Sequence, residues 1–520
     1  MSKTSKNNIL SDSFWENLFS KWEVILLVII LFLSFYLRII YLDLDSMWID
    51  ETISALAANG IIEHGKPILE SGQIYGRAEI FHYIMAGFIL LFKGDFGARF
   101  VSVIFGVLTV LLAYFFGKRF IGSSFGALTF ALLISVSSLE IIYSKQARFY
   151  QAFQFFYFLS FYLFYKFVIL KERIFKRGIW GILFLSVSIF MTIHLQTMGY
   201  IILPLLIFFY VLMKIDFRNI KTFLKNKYYL LMFFIGIISS WYVFKNVKSL
   251  LHIENLDRVI YYSQLYSNFY IEILPFIALS LVGLFLALKK DWKLNFSFTL
   301  FVIVPFIGLF FIKLFATRYV YFAIFALFFY IVFVLDKIHF KFPILIVILF
   351  LFNGSAFSFD GIQRPNLDMS MPLADYKNAY KYIEDNKLFY NENFVTTWPP
   401  AALWYGGIKN EYWVWYAVDG GPSKWMSYNE REVFTNSTIV RKIENFPENF
   451  TLVIDFQAKT KIRPSIMKYF ESKCRSDFQS YNIEVFTCKN EFIKINLSLN
   501  DTNNTYKNLN LQFNLTNSSN

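Results

Sequence analysis

The sequence predicts a polytopic α-helical membrane protein of about eleven spans with a C-terminal extracytoplasmic α/β domain. Three observations lead there. The chain has 520 residues, is 56% hydrophobic, holds 65 phenylalanines and has a mean hydropathy of +0.46, which is too apolar for an ordinary soluble protein. Long apolar runs recur through the first two thirds of the chain, bounded by lysine and arginine. After Phe352 the composition turns polar and mixed, rich in Pro, Asn, Trp and Tyr.

The first apolar run, Val24 to Tyr41, is too long for a cleavable signal peptide and lacks a small-residue cleavage site. It is expected to remain as an anchor, with the tail carrying Lys3, Lys6 and Lys21 inside. Spans are expected at 24–42, 99–117, 123–142, 152–170, 178–195, 199–213, 228–244, 270–288, 295–312, 319–335 and 342–354. Segment 79–92 is apolar but short, and is expected to lie near the outer interface and lead into the second span.

Charge orients these spans. The five loops 118–122, 171–177, 214–227, 289–294 and 336–341 carry sixteen bases against four acids, and the positive-inside rule places them in the cytoplasm. The first outer loop, 43–98, runs the other way, with eight acids that outnumber its bases. The formal charge of +13 would suggest nucleic acid in a soluble protein; here it marks cytoplasmic loops, and no nucleic-acid partner is expected. The same topology places outside the pieces 144–151, 194–200, 245–268 and 312–319 together with the first loop. Five pieces distant in sequence then share one face.

The expected organisation is a membrane module over 1–354, whose first outer loop 43–98 bears the chemistry, a soluble domain over 355–496, and an Asn-rich, poorly ordered tail over 497–520. In the soluble domain, residues 375–386 fit an amphipathic helix, and 393–398 and 451–456 read as short buried strands. Cys474 and Cys488 are the only cysteines; outside the membrane they can form a disulfide or stay free. Glycan-acceptor patterns begin at Asn496, Asn500, Asn503, Asn514 and Asn517, and arise easily by chance in such a tail. No dinucleotide fingerprint, phosphate loop or clustered His/Cys metal motif is present, and no cofactor or metal is expected.

The most telling stretch is DLDSMWIDETISALAANG, beginning at Asp43. Its adjacent acids Asp50 and Glu51 sit just past the first span, where a carboxylate costs free energy unless it meets water, a partner or a substrate. One reading is a cap on the helix that follows; the other is a general base for an acceptor hydroxyl. Adjacent helical residues point about a hundred degrees apart, so one acid suffices, and Asp50 is favoured. Candidate anion contacts are Arg318, Arg148, Arg77, Lys145 and Lys313, since a phosphate leaving group needs such donors; contact with lipid headgroups is the plainer alternative. Glu79 and His82 share a helix face at a spacing of three, and His194 and Gln196 close the fifth span; these four can line a substrate cavity or serve as ordinary helix-end polar groups. Asp43 and Asp45 form a lone pair of spaced acids. Trp398, Trp404 and Tyr405 can stack on sugar, although packing is the commoner use of such residues.

Together these residues resemble the multispanning glycosyltransferases of the GT-C fold, in the branch of protein O-mannosyltransferases and lipid A aminoarabinose transferases. The likeness rests on the acid pair Asp50–Glu51, the stretch GARFVSVIFGVLTVLLAYFFGKRF from Gly97, the outer loop QARFY at 146–150, and ATRYVYFAIFALFFY at 316–330 with its entry Arg318–Tyr319. The resemblance implies an inverting transferase that takes a sugar from a polyprenyl-phosphate donor to a lipid, glycan or protein acceptor at the outer face of the plasma membrane. Asp50 matches the family's base and Arg318 a donor-phosphate contact. The aminoarabinose branch has a Lys-Pro-Pro segment where this chain reads YGRAEIFHY (75–83), and an Asp where Gln151 lies, so transfer of aminoarabinose to lipid A is not expected. A lipid-linked glycan flippase, or a polysaccharide polymerase or ligase, remains a rival reading.

The side assignment is open to a direct check. In intact cells, Ile220→Cys and Lys290→Cys are expected to be shielded from an impermeant thiol reagent while Asn410→Cys labels; labelling at 220 would reverse the sides.

Overall fold

A computed structural model of the chain describes residues 21–173, 179–215, 231, 234, 236, 267–310, 321–338, 374–388, 393–409, 411–414, 427–428, 431–460 and 462–489. The expected spans at 228–244 and 342–354, and the candidates Lys313, Arg318 and Tyr319, lie outside the described residues. The chain divides into two compact units, Met1–Ile68 with Ile74–Pro372, and Leu69–Gln73 with Leu373–Asn520.

The described part of the first unit is helical: α1 (Lys21–Ile39), α2 (Ile49–His64), α3 (Glu79–Phe92), α4 (Gly94–Phe120), α5 (Ser124–Val136), α6 (Ser138–Ser144), α7 (Tyr150–Phe164), α8 (Ile179–Leu195), α9 (Ile202–Lys214), α10 (Ser267–Lys290), α11 (Trp292–Phe310) and α12 (Ala323–Lys337). Among the described residues four helical stretches are long and apolar enough to cross a membrane: Trp22–Ile39, Gly94–Phe120, Tyr150–Ile169 and Thr197–Lys214. A fifth is added if α5 and α6, which meet at 59°, form one broken span. The expected count of about eleven is therefore not reached. Several of the expected runs form shorter apolar helices, at Ile179–Leu195 and Trp292–Pro305, as does the segment Glu79–Phe92.

The break between α5 and α6 has a local cause. Ser137 adopts an extended backbone, and its carbonyl-rich neighbourhood loses the helical ladder. Arg38, fully buried at the end of α1, supplies the missing donors. It donates to the carbonyls of Ser135 (2.9 Å) and Ile134 (3.2 Å) and to the hydroxyls of Ser34 (2.9 Å) and Ser144 (3.1 Å). The guanidinium passes α4 at Gly106, where a Cβ would fall 2.7 Å from Nε.

Helix α4 fixes the two ends of the bundle. Its 27 residues span about 40 Å at 1.5 Å per residue, with Arg99 near one end and Lys118 and Arg119 at the other. At the second end the basic loops gather. Arg119 pairs with Glu172 at 2.8 Å, Lys118 with Glu23 at 2.7 Å, and Lys290 donates to the carbonyls of Phe120 and Ile121. Between the ends, phenylalanines fill the interior: Phe116 of α4 meets Phe161 of α7, Phe298 of α11 and Phe325 and Phe329 of α12 at centroid distances of 5.0–6.0 Å.

The second unit holds an eight-stranded sheet of order β3-β4-β5-β2-β1-β6-β8-β7. The strands are β1 (Asn393–Thr396), β2 (Tyr412–Val414), β3 (Ser427–Tyr428), β4 (Arg431–Glu432), β5 (Thr438–Val440), β6 (Phe450–Asp455), β7 (Cys474–Ser480) and β8 (Ile483–Cys488). The central strands β5, β2, β1 and β6 run parallel, and both flanks are antiparallel. Every residue of β6 is buried, as an apolar run covered on both faces requires. The helix expected over 375–386 is Tyr376–Asp385. Cys474 and Cys488 face each other across β7 and β8 and form a disulfide, the alternative that the sequence left undecided. Closing a loop of this size stabilises by about 3 kcal/mol.

Residues Leu69–Gln73 come from the first loop yet belong to this unit. The Ser71 amide donates to the Phe434 carbonyl at 3.3 Å, its hydroxyl to the Val433 carbonyl, and Glu70 pairs with Lys409 at 2.9 Å. The receiving turn is held by a buried acid. The Glu432 carboxylate accepts from the amides of Phe434 (2.9 Å) and Thr435 (2.6 Å) and from the Thr435 hydroxyl. Thr435 continues through Ser437 to Glu411, a second buried carboxyl.

Burial is the first cause of a raised pKa at both acids, and the hydrogen bonds oppose it; Glu432 is pushed up to about 7. An acid whose pKa is raised by folding binds protons in the folded state, so stability is full below its ordinary pKa and falls as pH rises toward the folded value. The thermal midpoint of the purified protein's C-terminal domain should therefore fall between pH 4.5 and 7, and Glu432→Gln should flatten that slope. A midpoint independent of pH in this window would count against the buried pair.

Candidate active site

Helix α2 begins immediately after the first span, and its first turn separates the two acids. Glu51 turns inward and is 2% exposed, whereas Asp50 is 29% exposed. The contrast leaves one carboxylate open and encloses the other. Both Glu51 oxygens are occupied: Oε1 accepts from Arg99 Nε (3.0 Å) and the Ala147 amide (2.6 Å), and Oε2 from Arg99 Nη2 (3.0 Å) and the Trp48 amide (3.2 Å). The capping reading thus applies to Glu51, which satisfies the amide that opens the helix. Arg99 also donates to the carbonyls of Leu42, Asp45 and Ser46. Gly60, on the same helix, stands against Ile68, where a Cβ would fall 2.0 Å from the carbonyl oxygen; the loop lies on α2 only because this position has no side chain.

Asp50 faces Arg148. The guanidinium Nη2 lies 3.5 Å from Asp50 Oδ2, and Nη1 donates to the Ser54 hydroxyl (2.7 Å), the Asp50 carbonyl (3.1 Å) and, at the edge of hydrogen-bond range, the Tyr75 hydroxyl (3.4 Å). Arg148 is 1% exposed and lies over the rings of Phe149 and Tyr150 at 4.8 and 5.5 Å. Its carbonyl is held by Ser102 of α4 at 3.0 Å. An arginine so fixed sets where the Asp50 carboxylate sits.

The remaining candidates frame this pair. Arg77 is exposed, its guanidinium 5.0 Å from the Phe149 ring. Lys145 donates to the Ile40 carbonyl at 2.7 Å; burial first, and then Arg99, push its pKa down to about 8, against Asp45. Glu79 is half-buried in the first turn of α3. His82, one turn on, is fully buried and stands edge-on to Tyr75 at 5.3 Å. The His194 ring, at the end of α8, accepts from the Ile80 amide at 3.0 Å, and buried Gln196 opens the turn that follows. Of the five pieces expected outside, the first loop 43–98 thus touches two others, 144–151 through Asp50 and Glu51 and 194–200 through Ile80. The remaining two, 245–268 and 312–319, lie outside the described residues. Trp398 is buried at the start of the helix Pro399–Gly406, in the second unit. Among the described residues no group of three or more His, Cys, Asp and Glu side chains could hold a metal ion.

Arg99, Ser54 and Tyr75 were not singled out by the sequence. Arg99 carried a signal, an arginine at the mouth of an apolar helix, where an unpaired charge is costly. Ser54 and Tyr75 carried none.

Comparison with known proteins follows this geometry. The crystal structure of ArnT from Cupriavidus metallidurans in the apo state superimposes with a TM-score of 0.54 at 10% identity, covering 91% of this chain and 98% of that one. The same protein bound to undecaprenyl phosphate gives 0.54 at 11% identity over the same shares. This is a GT-C-fold membrane chain. It resembles the superfamily of ArnT and the protein O-mannosyltransferases, and the family described as dolichyl-phosphate-mannose-protein mannosyltransferase matches residues 65–256, less than half of the GT-C chain. The apo oligosaccharyltransferase of Archaeoglobus fulgidus overlaps with a TM-score of 0.49 at 13% identity, covering 89% of this chain and 74% of that one. No curated protein matches the sequence.

The buried pair yields a stability test. Removing one partner of a buried ion pair typically costs about 3–5 kcal/mol. Glu51→Ala and Arg99→Ala should each lower the thermal midpoint of the detergent-purified protein sharply, and the double variant should lose less than the sum of the two. Asp50→Asn weakens the longer, partly exposed contact to Arg148, which keeps its bonds to the Ser54 hydroxyl and the Asp50 carbonyl, and should lower the midpoint by less than Glu51→Ala. Equal losses for Glu51→Ala and Asp50→Asn would refute the division of roles.

Proposed function

We propose that the chain is an inverting glycosyltransferase that moves a sugar from a polyprenyl-phosphate donor in the membrane to a hydroxyl of a lipid, glycan or protein acceptor at the outer face. One observation carries this reading: a partly exposed Asp50 carboxylate, held by a buried and multiply anchored Arg148 where two distant outer loops of a GT-C-fold chain meet. ArnT, which shares the fold, has been crystallised with undecaprenyl phosphate.

In this reading Asp50 takes the proton of the acceptor hydroxyl as its oxygen attacks the anomeric carbon. The bond from that carbon to the phosphate oxygen breaks, and the phosphate leaves with the electron pair. Cations must meet that developing charge. Arg77 is exposed and available for the role, Lys145 lies in the adjoining loop, and Arg318 and Lys313 are assigned to it from the sequence. Glu51 positions and does not react, since all its acceptor sites are taken. The acidic first loop and the C-terminal domain face the exterior, and the basic loops at the far end of α4 face the cytoplasm. The membrane module 1–354 carries the chemistry, and the domain 355–496 contributes to the acceptor side.

The test is sugar release or transfer from a panel of polyprenyl-phosphate sugars by purified protein. Asp50→Asn keeps size and one oxygen but removes the base, and should lower kcat about 10²- to 10⁴-fold with little change in donor binding. Full activity in that variant would sink the assignment.

A further inference from the structure

His82 is the largest departure from ordinary polar bookkeeping in this region. It is 0% exposed, and neither ring nitrogen makes a well-formed hydrogen bond, the Ala78 carbonyl standing near the ring without closing one. A buried polar group without a partner costs about 1–3 kcal/mol, so native folds retain few of them. Beside it stands a second such group: the Nε–H of Arg148, itself 1% exposed, also lacks a partner. Tyr75 connects the two. Its ring edge meets the imidazole at a centroid distance of 5.3 Å, and its hydroxyl reaches the same guanidinium through the long 3.4 Å contact. Phe81 closes the other side at 5.8 Å.

The imidazole is neutral. Burial first, then Arg148, Arg77 and His194, push its pKa down to about 3, with the Ala78 carbonyl acting the other way. A neutral imidazole offers one donor and one acceptor, which complements a hydroxyl. It suits neither an isolated anion nor a cation. The nearby Arg148 Nε–H adds one more donor. Asp50 faces the Nη2 of the same guanidinium at 3.5 Å, so one arginine links the proposed base to this pair of groups.

We propose that His82, together with Arg148 Nε, is the specificity site for a hydroxyl of the transferred sugar, and that Tyr75 is a movable cover over it. The proposal rests on the transferase reading and deepens it. Tyr75 is half-buried and sits on a loop; its amide is held by the Pro67 carbonyl at 2.8 Å while its side chain reaches Arg148 through a single long contact, so the side chain can turn away and expose the two groups with the backbone in place. Substrate hydroxyls then satisfy both, and a donor that cannot do so leaves them buried and unpaired.

The experiment compares wild type, His82→Phe, His82→Asn and Tyr75→Phe in the full-length purified protein. The probes are the polyprenyl-phosphate sugar that wild type binds most tightly in a panel of such donors and its series of single deoxy analogues. Equilibrium binding and turnover are measured separately. One deoxy analogue should bind wild type about ten- to a hundredfold more weakly than the parent. His82→Phe should bind the parent as weakly as wild type binds that analogue, with no further loss when the two changes are combined. His82→Asn should recover part of the discrimination, and Tyr75→Phe should retain it. A merely structural histidine would weaken all analogues alike. Independent losses, or unchanged parent binding in a folded His82→Phe, would overturn the proposal. If donors bind with the predicted discrimination yet no sugar is released, the transferase reading fails and this site stands; if no sugar donor binds at all, the site fails too.

Discussion

A guanidinium with every N–H group engaged holds the first loop in place. Arg99 donates to both oxygens of Glu51 and to three backbone carbonyls between Leu42 and Ser46. Burying such a pair is expensive unless all remaining hydrogen-bonding capacity is used, and here it is. The same carboxylate also takes the amides of Trp48 and Ala147. One ion pair therefore fixes the exit from α1, the start of α2, the head of α4 and the loop that carries Arg148. The placement of Asp50 follows, because it is the next residue to Glu51 on a helix whose first turn has no freedom left.

That arrangement gives two neighbouring acids different surroundings. A carboxylate cannot both spend every acceptor site on anchoring and stay open. The chain divides these: Glu51 gives up its oxygens to rigidity, and Asp50 inherits the rigidity and keeps its exposure. Arg148 repeats the device on the opposite side, anchored through Ser54 and Ser102 and stacked on aromatic rings.

Much of this was legible before any coordinates. The acid pair at the end of the first span and the arginine of the second outer loop both rest on the cost of charge near lipid, which acts locally and leaves a mark on the sequence. Helical spacing said that the two acids point apart, and it did not say which of them would be enclosed. What was not legible depends on contacts made across the fold. Ser54 and Tyr75 are ordinary residues whose place beside Arg148 comes from tertiary packing. The capture of Leu69–Gln73 by the C-terminal unit rests on backbone carbonyls at Val433 and Phe434, which carry no side-chain signature. The sheet was largely invisible because four of its strands are only two or three residues long. The count of spans was overdrawn because apolar length was read as crossing, while some of those runs form short helices or break, as at Ser137.

The break at Ser137 also bears on how the chain is made. Arg38 lies at the end of α1, but two of the carbonyls it needs belong to Ile134 and Ser135, nearly a hundred residues later. Until that stretch is synthesised, the arginine has only Ser34 of its own helix as a partner and is better placed at the aqueous boundary or within the insertion machinery. The broken helix has the matching difficulty, since its open carbonyls cannot face lipid unaided. Neither segment is a self-sufficient insertion unit. Their assembly order is thereby built into the covalent sequence: the first helix waits, and the late arrival of the bend lets both settle together.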